Sequence, residues 1–116
     1  MSFEERIPAS KDEKLSENSF SCDLLVDENL AYFEGHFPGE PILPGVVQLA
    51  WAIHFGAKLG LDSMRFAGVP RSKFSAVIQP GALVRLTLSR NKESLDFSYE
   101  SSATTHSSGT IRYNSE

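Results

Sequence analysis

The chain has 116 residues, of which 41% are hydrophobic and 22% are charged, so it suits one folded domain and is not compositionally disordered. Its formal net charge of −4 argues against a nucleic-acid-binding protein, because such proteins normally carry a basic excess. The N-terminus has no apolar signal core, and no apolar run approaches the roughly 20 residues that span a bilayer. We therefore expect a cytoplasmic protein without a membrane span.

The first predicted elements divide the chain into an N-terminal segment, residues 1–18, and a single domain, residues 19–116. Within the segment, the stretch from Ile7 to Lys14 is expected to be a loop. The domain opens with a strand over Ser19–Asp27, because apolar side chains at every second position share one face of a strand. Cys22 lies on that face. We interpret this single cysteine as a small buried hydrophobe, since no metal-ligand spacing surrounds it.

A proline-rich stretch, GHFPGEPILPG over residues 35–45, follows the strand and precedes a long apolar segment. Its prolines remove backbone donors and restrict their predecessors, which excludes a helix or a regular strand there. Pro44 suits the first position of a helix and Gly60 suits a C-terminal cap, so a helix is predicted from about Pro44 to Leu59. Because its residues are apolar on nearly every side, we expect this helix to be buried.

The rest of the chain is predicted to form antiparallel strands. The stretch RFAGVPRSKFSAVI is extended with a break at Gly68–Pro70, and QPGA is a turn. LVRLTLSR and SLDFSYES alternate between apolar and polar residues, as half-buried strands do. SGTIRY is expected to close the sheet, and the polar SSATTHSSG that leads into it is expected to be turn-like. One buried helix with a set of antiparallel strands is an α+β arrangement, in which a curved sheet would wrap the helix.

The string GHFPGEPILPGV, from Gly35 to Val46, closely resembles the signature of the hot-dog-fold 3-hydroxyacyl-acyl-carrier-protein dehydratases of the FabZ type. RFAGVPRSKFSAVIQPGALVRL resembles that family's next segment, and the resemblance covers about residues 20–113. The short length and the VVQLxWxxHFG helix look most like the aryl-polyene, ApeI-like branch. The resemblance implies a hot-dog fold, in which a long central helix is wrapped by a curved antiparallel sheet.

The resemblance also implies the reaction, which removes water from a 3-hydroxyacyl thioester to give a trans-2-enoyl thioester in fatty acid, aryl polyene or other polyketide biosynthesis. His36 matches the family's base, and a histidine titrates near neutral pH. Gly45 matches the position that holds the thioester oxygen. With Val46 it lies at a helix start, where backbone N–H groups lack helical partners. We assign Phe37 to substrate binding as well, and no metal or cofactor of the chain's own is implied.

The acid that the resemblance implies is missing. The family has Asp or Glu fourteen positions after the histidine, and this chain has Ala50 there. His54 follows one turn later on the same helix face, where the resemblance implies a residue supporting the acid. Three explanations stay open: a deliberate Asp-to-Ala substitution, a natural pseudoenzyme, or replacement by another acid such as Glu34 or Glu40. We favour the substitution, because the rest of the motif is retained and both glutamates are expected to face solvent.

The resemblance implies two partners. The acid comes from the second subunit in this family, so a homodimer with composite sites is implied. The substrate arrives on the phosphopantetheine arm of an acyl carrier protein, and Arg65, Arg71 and Lys73 are candidates for a basic docking rim at the tunnel mouth. Two other interpretations stay open. One is a hot-dog acyl thioesterase, and the other is a non-catalytic acyl-carrier-binding module, which Ala50 favours.

Overall fold

A computed structural model describes residues 7–27 and 42–114, in which one α-helix packs against a six-stranded antiparallel sheet, an arrangement consistent with a hot-dog fold. The described elements, in chain order, are β1 (Ser10–Leu15), β2 (Ser19–Leu25), α1 (Gly45–Gly56), β3 (Arg65–Phe74), β4 (Leu83–Asn91), β5 (Ser94–Ser101) and β6 (Thr104–Asn114). His36, Phe37, Glu34 and Glu40 lie outside the described residues. Across the described ranges, no helix is long and apolar enough to cross a membrane.

The sheet has the strand order β1-β2-β4-β5-β6-β3. Strands β4, β5 and β6 follow one another as antiparallel neighbours, whereas β3 joins the far edge by pairing with β6. The alternation predicted for β2, β4 and β5 is confirmed, because every second side chain of these strands is buried. Cys22 is fully buried on β2, which confirms its interpretation as a core residue.

Helix α1 covers the apolar face of the sheet. Trp51 and Ala52 are fully buried, and the rings of Phe55 and Phe20 stack with their centroids 5.8 Å apart. The predicted helix is confirmed over Gly45–Gly56, and a 3-10 turn extends it to Leu59. Within residues 7–27 and 42–114, the sheet covers one side of the helix, so the predicted burial is found on that side. On the opposite side one side chain is 72% exposed, that of Val46.

Two polar segments form strands where a loop and a turn were predicted. The segment Ile7 to Lys14 is not a loop, because β1 begins at Ser10 and pairs with β2. In the stretch SSATTHSSG only Ser102 and Ala103 form a turn, because β6 begins at Thr104 and pairs with β5 as far as Arg112. In both cases the backbone ladder stabilises the strand, and a periodic apolar pattern is therefore not needed.

Strand β3 has the interruption that its sequence predicts. Its pairing with β6 shifts register between Phe66 and Gly68 and again between Gly68 and Arg71. Gly68 has a φ of 134°, a conformation that a residue with a Cβ rarely adopts. Because β3 is the last strand of the sheet within the described residues, its outer backbone edge and most of its side chains are exposed.

Candidate active site

The start of α1 carries the backbone groups on which the candidate site depends. Pro44 is the residue before the helix, and its side chain makes no capping hydrogen bond to the amide end. The amides of Val47 and Gln48 both donate to the Pro44 carbonyl, at 3.1 and 3.2 Å. The amides of Gly45 and Val46 therefore precede the first helical hydrogen bonds, where the helix dipole favours negative charge. A role for these amides in holding the thioester oxygen stays a prediction.

A cleft of about 240 Å³ opens beside this helix start and is called the helix-start pocket below. It is lined by Ile42, Leu43, Gly45, Gln48, Phe74, Ser75, Ala76 and Val77. The ring of Phe74 closes over the first helical residue so tightly that a Cβ on Gly45 would lie 3.0 Å from two ring atoms. Glycine at this position therefore lets an aromatic wall from β3 approach the helix amides.

A buried hydrogen-bond network fixes the helix start from the inside. The Gln48 side chain, which is 4% exposed, donates to the Leu43 carbonyl at 3.2 Å and accepts from the Ser107 hydroxyl at 2.6 Å. The Tyr99 hydroxyl donates to the Gln48 carbonyl at 2.7 Å, and burial raises the pKa of Tyr99 well above its usual range. Sequence reasoning missed this network. The available signal was one amide side chain on an apolar helix, because buried polar groups need partners.

Hydrogen bonds of His106 connect the outer wall of the helix-start pocket to β6. Its Nδ1 lies 3.1 Å from the Val77 carbonyl and its Nε2 lies 2.6 Å from the Ser101 hydroxyl. Because a carbonyl oxygen only accepts, Nδ1 carries a proton, and in the neutral ring Nε2 accepts from the serine. The amides of Ser75 and Ala76 also donate to the His106 carbonyl, at 2.8 and 3.1 Å. The segment after β3 is thereby held in place as a wall.

Ala50 lies on the other side of the helix. It is half-buried and shares one face with the exposed Val46 and His54, and these three residues are called the open helix face below. At about 100° per residue, Ala50 is rotated by about 200° from Gln48, which lines the helix-start pocket. The side chain of His54 is exposed, and its ring contacts the Phe55 ring edge-on, with centroids 5.0 Å apart.

The three basic docking candidates all lie on β3, and all are exposed. Arg71 donates to the Thr110 hydroxyl at 3.0 Å, and that hydroxyl donates to Asp96 at 2.6 Å. Asp96 alternates with buried residues of β5, so Arg71 lies on the sheet face opposite the helix. Lys73 is two residues further along the strand and shares that face, whereas Arg65 precedes both register shifts. A docking role for these residues stays a prediction.

Curated proteins similar to this chain are dehydratases. A 3-hydroxyacyl-[acyl-carrier-protein] dehydratase FabZ from Chloroflexus aggregans is 41% identical over 71 residues, which cover 55% of this chain and 49% of that protein. The FabZ of Latilactobacillus sakei is 40% identical over 77 residues, which cover 59% of this chain and 55% of that protein. The chain thus spans about half the length of the curated relatives it matches.

Solved structures and the family comparison point to one family among the dehydratases. The dehydratase heterocomplex ApeI:P from Xenorhabdus doucetiae matches with a TM-score of 0.86 and 30% identity, covering 92% of this chain and 97% of that one. An uncharacterized protein from Erwinia carotovora matches with a TM-score of 0.76 and 35% identity, covering 94% and 95%. The ApeI-like family, described as ApeI dehydratase, matches residues 11–110, and the chain belongs to this family.

Proposed function

We propose that this chain, in a hot-dog fold, dehydrates 3-hydroxyacyl thioesters presented on the phosphopantetheine arm of an acyl carrier protein. The observation that carries the proposal is the helix-start pocket, where the leading amides of α1 meet a cleft with an aromatic wall. The names of the FabZ relatives support this substrate class. The reaction moves only protons and the elements of water, so it needs no cofactor of its own. A role in fatty acid or aryl polyene biosynthesis stays a prediction.

The mechanism begins at His36, which takes the proton from the carbon next to the thioester carbonyl. The released electron pair shifts negative charge onto the thioester oxygen, which accepts hydrogen bonds from the amides of Gly45 and Val46. The pair then returns to form the carbon–carbon double bond, and the C3–oxygen bond breaks. The departing hydroxide must take up a proton to leave as water. Ala50 has no proton to give, so the position to which the resemblance assigns the acid cannot supply this proton.

We also propose that the chain works in a two-chain assembly. Two apolar surfaces support this proposal: the open helix face, and the side chains of Phe66 and Phe74 on β3, which are 54% and 47% exposed. Surfaces of this kind mark protein–protein contacts. The matched ApeI:P structure is a heterocomplex, which supports pairing with a different chain, whereas the sequence resemblance favours a homodimer.

The test of the proposed reaction compares the native chain with Ala50→Asp, using steady-state enoyl formation from a 3-hydroxyacyl carrier-protein substrate. We expect the variant to be faster by about 10²–10⁴-fold, the usual contribution of general acid catalysis. A desolvated carboxyl at this position would keep a protonated fraction near neutral pH. Adding His36→Ala to that variant should abolish the gain without unfolding the protein, because the base is then missing.

Free thiol release is measured in the same reactions. If thiol appears without enoyl product, the chain is a thioesterase and the proposed dehydration is wrong. A second candidate function is a non-catalytic acyl-carrier-binding module, which the identity of Ala50 favours. It predicts carrier-protein binding by both forms and enoyl formation by neither, although both are folded.

A further inference from the structure

The outer wall of the helix-start pocket, residues 75–77, has no regular secondary structure. The ladder between β3 and β6 ends where Phe74 pairs with Ser107, and residues 75–82 form neither helix nor strand. The wall lines the pocket together with Gly45 and Gln48 of α1. Val77 is 57% exposed, so core packing does not hold this residue in place. The width of the cleft therefore depends on the hydrogen bonds that the wall makes.

His106 makes three hydrogen bonds to the wall. Its carbonyl accepts from the amides of Ser75 and Ala76 at 2.8 and 3.1 Å, and its Nδ1 donates to the Val77 carbonyl at 3.1 Å. The first two bonds use the backbone and are independent of the side chain. The third is made by the imidazole, and it fixes the orientation of the peptide between Val77 and Ile78, because a peptide unit is planar. The His106 side chain thus holds the wall residue that packing leaves exposed.

The Ser101 hydroxyl keeps the imidazole in the form that this bond requires. It lies 2.6 Å from Nε2. A neutral ring that accepts a hydrogen bond at Nε2 carries its proton on Nδ1, which is the nitrogen beside the Val77 carbonyl. His106 is 9% exposed and is not among the residues that line the pocket, so it acts on a bound molecule through the wall.

We infer that His106 is a positioning residue for the thioester end of the substrate, with Ser101 as its support. The inference rests on the proposed dehydration, which names the occupant of the helix-start pocket. The imidazole holds Val77 at the distance from α1 at which the cleft contacts a bound thioester from both sides. A wall of this kind contacts the substrate and the transition state alike. Loss of the imidazole bond should therefore weaken binding and raise KM, and leave kcat nearly unchanged.

Three substitutions of His106 separate the bond to Val77 from the burial of the ring. His106→Asn places an amide N–H where Nδ1 lies, so it keeps the donor to the Val77 carbonyl. His106→Gln places its amide where Nε2 lies, beside Ser101, and loses the donor to Val77. His106→Leu fills the space and makes neither bond. None of the three removes the backbone carbonyl that bonds the amides of residues 75 and 76.

The binding probe is a 3-hydroxyacyl chain joined to pantetheine by an amide, in which nitrogen replaces the thioester sulfur so that the probe is not cleaved. It is titrated calorimetrically into the native chain and each variant, and folding is checked by chemical denaturation. We expect His106→Gln and His106→Leu to bind about fivefold to tenfold more weakly, the factor that one net hydrogen bond contributes. His106→Asn should bind within about twofold of the native chain. In the Ala50→Asp background, KM should rise by the same factors.

The control is Arg90→Met, which removes a hydrogen bond beyond the other end of α1 and should lower stability without weakening binding. If affinity falls in step with stability in every variant, this control included, the role of His106 is structural and the inference is overturned. It is also overturned if folded His106→Leu binds as the native chain does, if His106→Asn is as weak as His106→Leu, or if only kcat changes.

Two further outcomes separate the inference from the proposed reaction. If Ala50→Asp forms no enoyl product while the binding pattern holds, the dehydration proposal fails and the positioning role of His106 survives. If the native chain does not bind the probe, the helix-start pocket is not the thioester site, and both fail.

Discussion

The two ends of helix α1 are built in opposite ways. At the carboxyl end, the Arg90 guanidinium donates to the Leu59 carbonyl at 2.6 Å, and Gly60 closes the turn with a φ of 84°. At the amino end no side chain of residues 7–27 or 42–114 caps the amides, and the helix begins beside an open cleft. The protein thus satisfies the carbonyl groups of one end itself and leaves the amides of the other end facing the site.

The amino end is nevertheless rigid, because the buried bonds of Gln48 hold it from the sheet side. Donors that are fixed before the substrate arrives need no reorganisation when charge develops, and this is the condition under which they stabilise a transition state best. The comparison teaches that one end of α1 serves stability, whereas the other combines a rigid support with amides that have no helical or side-chain partner within the described residues. Two predictions test this division, and two more test the β3 surface and the core of the sheet, from the largest expected effect to the smallest.

Gln48→Leu should have the largest effect, because it leaves the Leu43 carbonyl and the Ser107 hydroxyl buried without this partner. We expect the free energy of unfolding to fall by about 2–4 kcal/mol, as measured by chemical denaturation. Ser107→Ala removes one of the two bonds and should cost about 1–2 kcal/mol. In the active Ala50→Asp background, Gln48→Leu should also lower kcat of the folded fraction. An unchanged kcat would mean that the network does not position the amides.

Arg90→Met should cost about 1–2 kcal/mol of unfolding free energy, because it removes the charged hydrogen bonds to the Leu59 and Lys92 carbonyls. The enoyl-forming rate per folded protein should stay the same, since this end of the helix does not line the helix-start pocket. The matched control is Arg112→Met, an exposed arginine whose loss should change stability by less than about 0.5 kcal/mol. A lower rate in folded Arg90→Met would contradict the conclusion that the carboxyl end of the helix serves stability alone.

Charge reversal of Arg71 and Lys73 together should weaken binding of an acidic carrier protein, by about threefold to tenfold at low salt and less at high salt. Binding is measured by titration at two ionic strengths. The control reverses Lys92 and Arg112, which are also exposed and change the net charge equally, but lie at the Arg90 end of the sheet. If both pairs weaken binding alike, the carrier responds to net charge, and β3 is not its docking surface.

The last prediction concerns the stability of the fold at alkaline pH, and its effect at neutral pH is the smallest of the four. Burial raises the pKa of the Cys22 thiol from its ordinary 9.0 to about 12, and raises the pKa of Tyr99 in the same direction. Both groups are neutral in the folded protein, whereas the unfolded chain ionises them at lower pH. Their contribution to stability is therefore complete below about pH 9 and is lost as the pH rises towards 12.

Denaturation midpoints measured from roughly pH 8 to pH 10.5 should fall above pH 9, and less steeply in Cys22→Ala. In the native protein at pH 8, the thiol should react with a disulfide reagent only as fast as the protein unfolds. A thiol that reacts rapidly at that pH would contradict its burial on β2.

The strands that bury apolar side chains could be predicted from the sequence. The strands without buried apolar side chains could not be predicted from it. Alternation predicted β2, β4 and β5, because each must present one face to the helix. Strand β1 buries none of its side chains fully, and the first half of β6 is polar. These segments form strands because their backbones hydrogen-bond to the edge of a neighbouring strand. The local pattern of side chains does not indicate that such an edge is present.

The sequence by itself determined where α1 lies, since Pro44 and Gly60 bound an apolar run, and it determined the family through the string from Gly35 to Val46. It also determined that residue 50 is an alanine where the resemblance implies an acid. Only the tertiary structure decided that Gln48 faces the pocket while Ala50 and His54 face outward. The sheet covers one side of the helix, and a pattern that is apolar all round does not say which side that is.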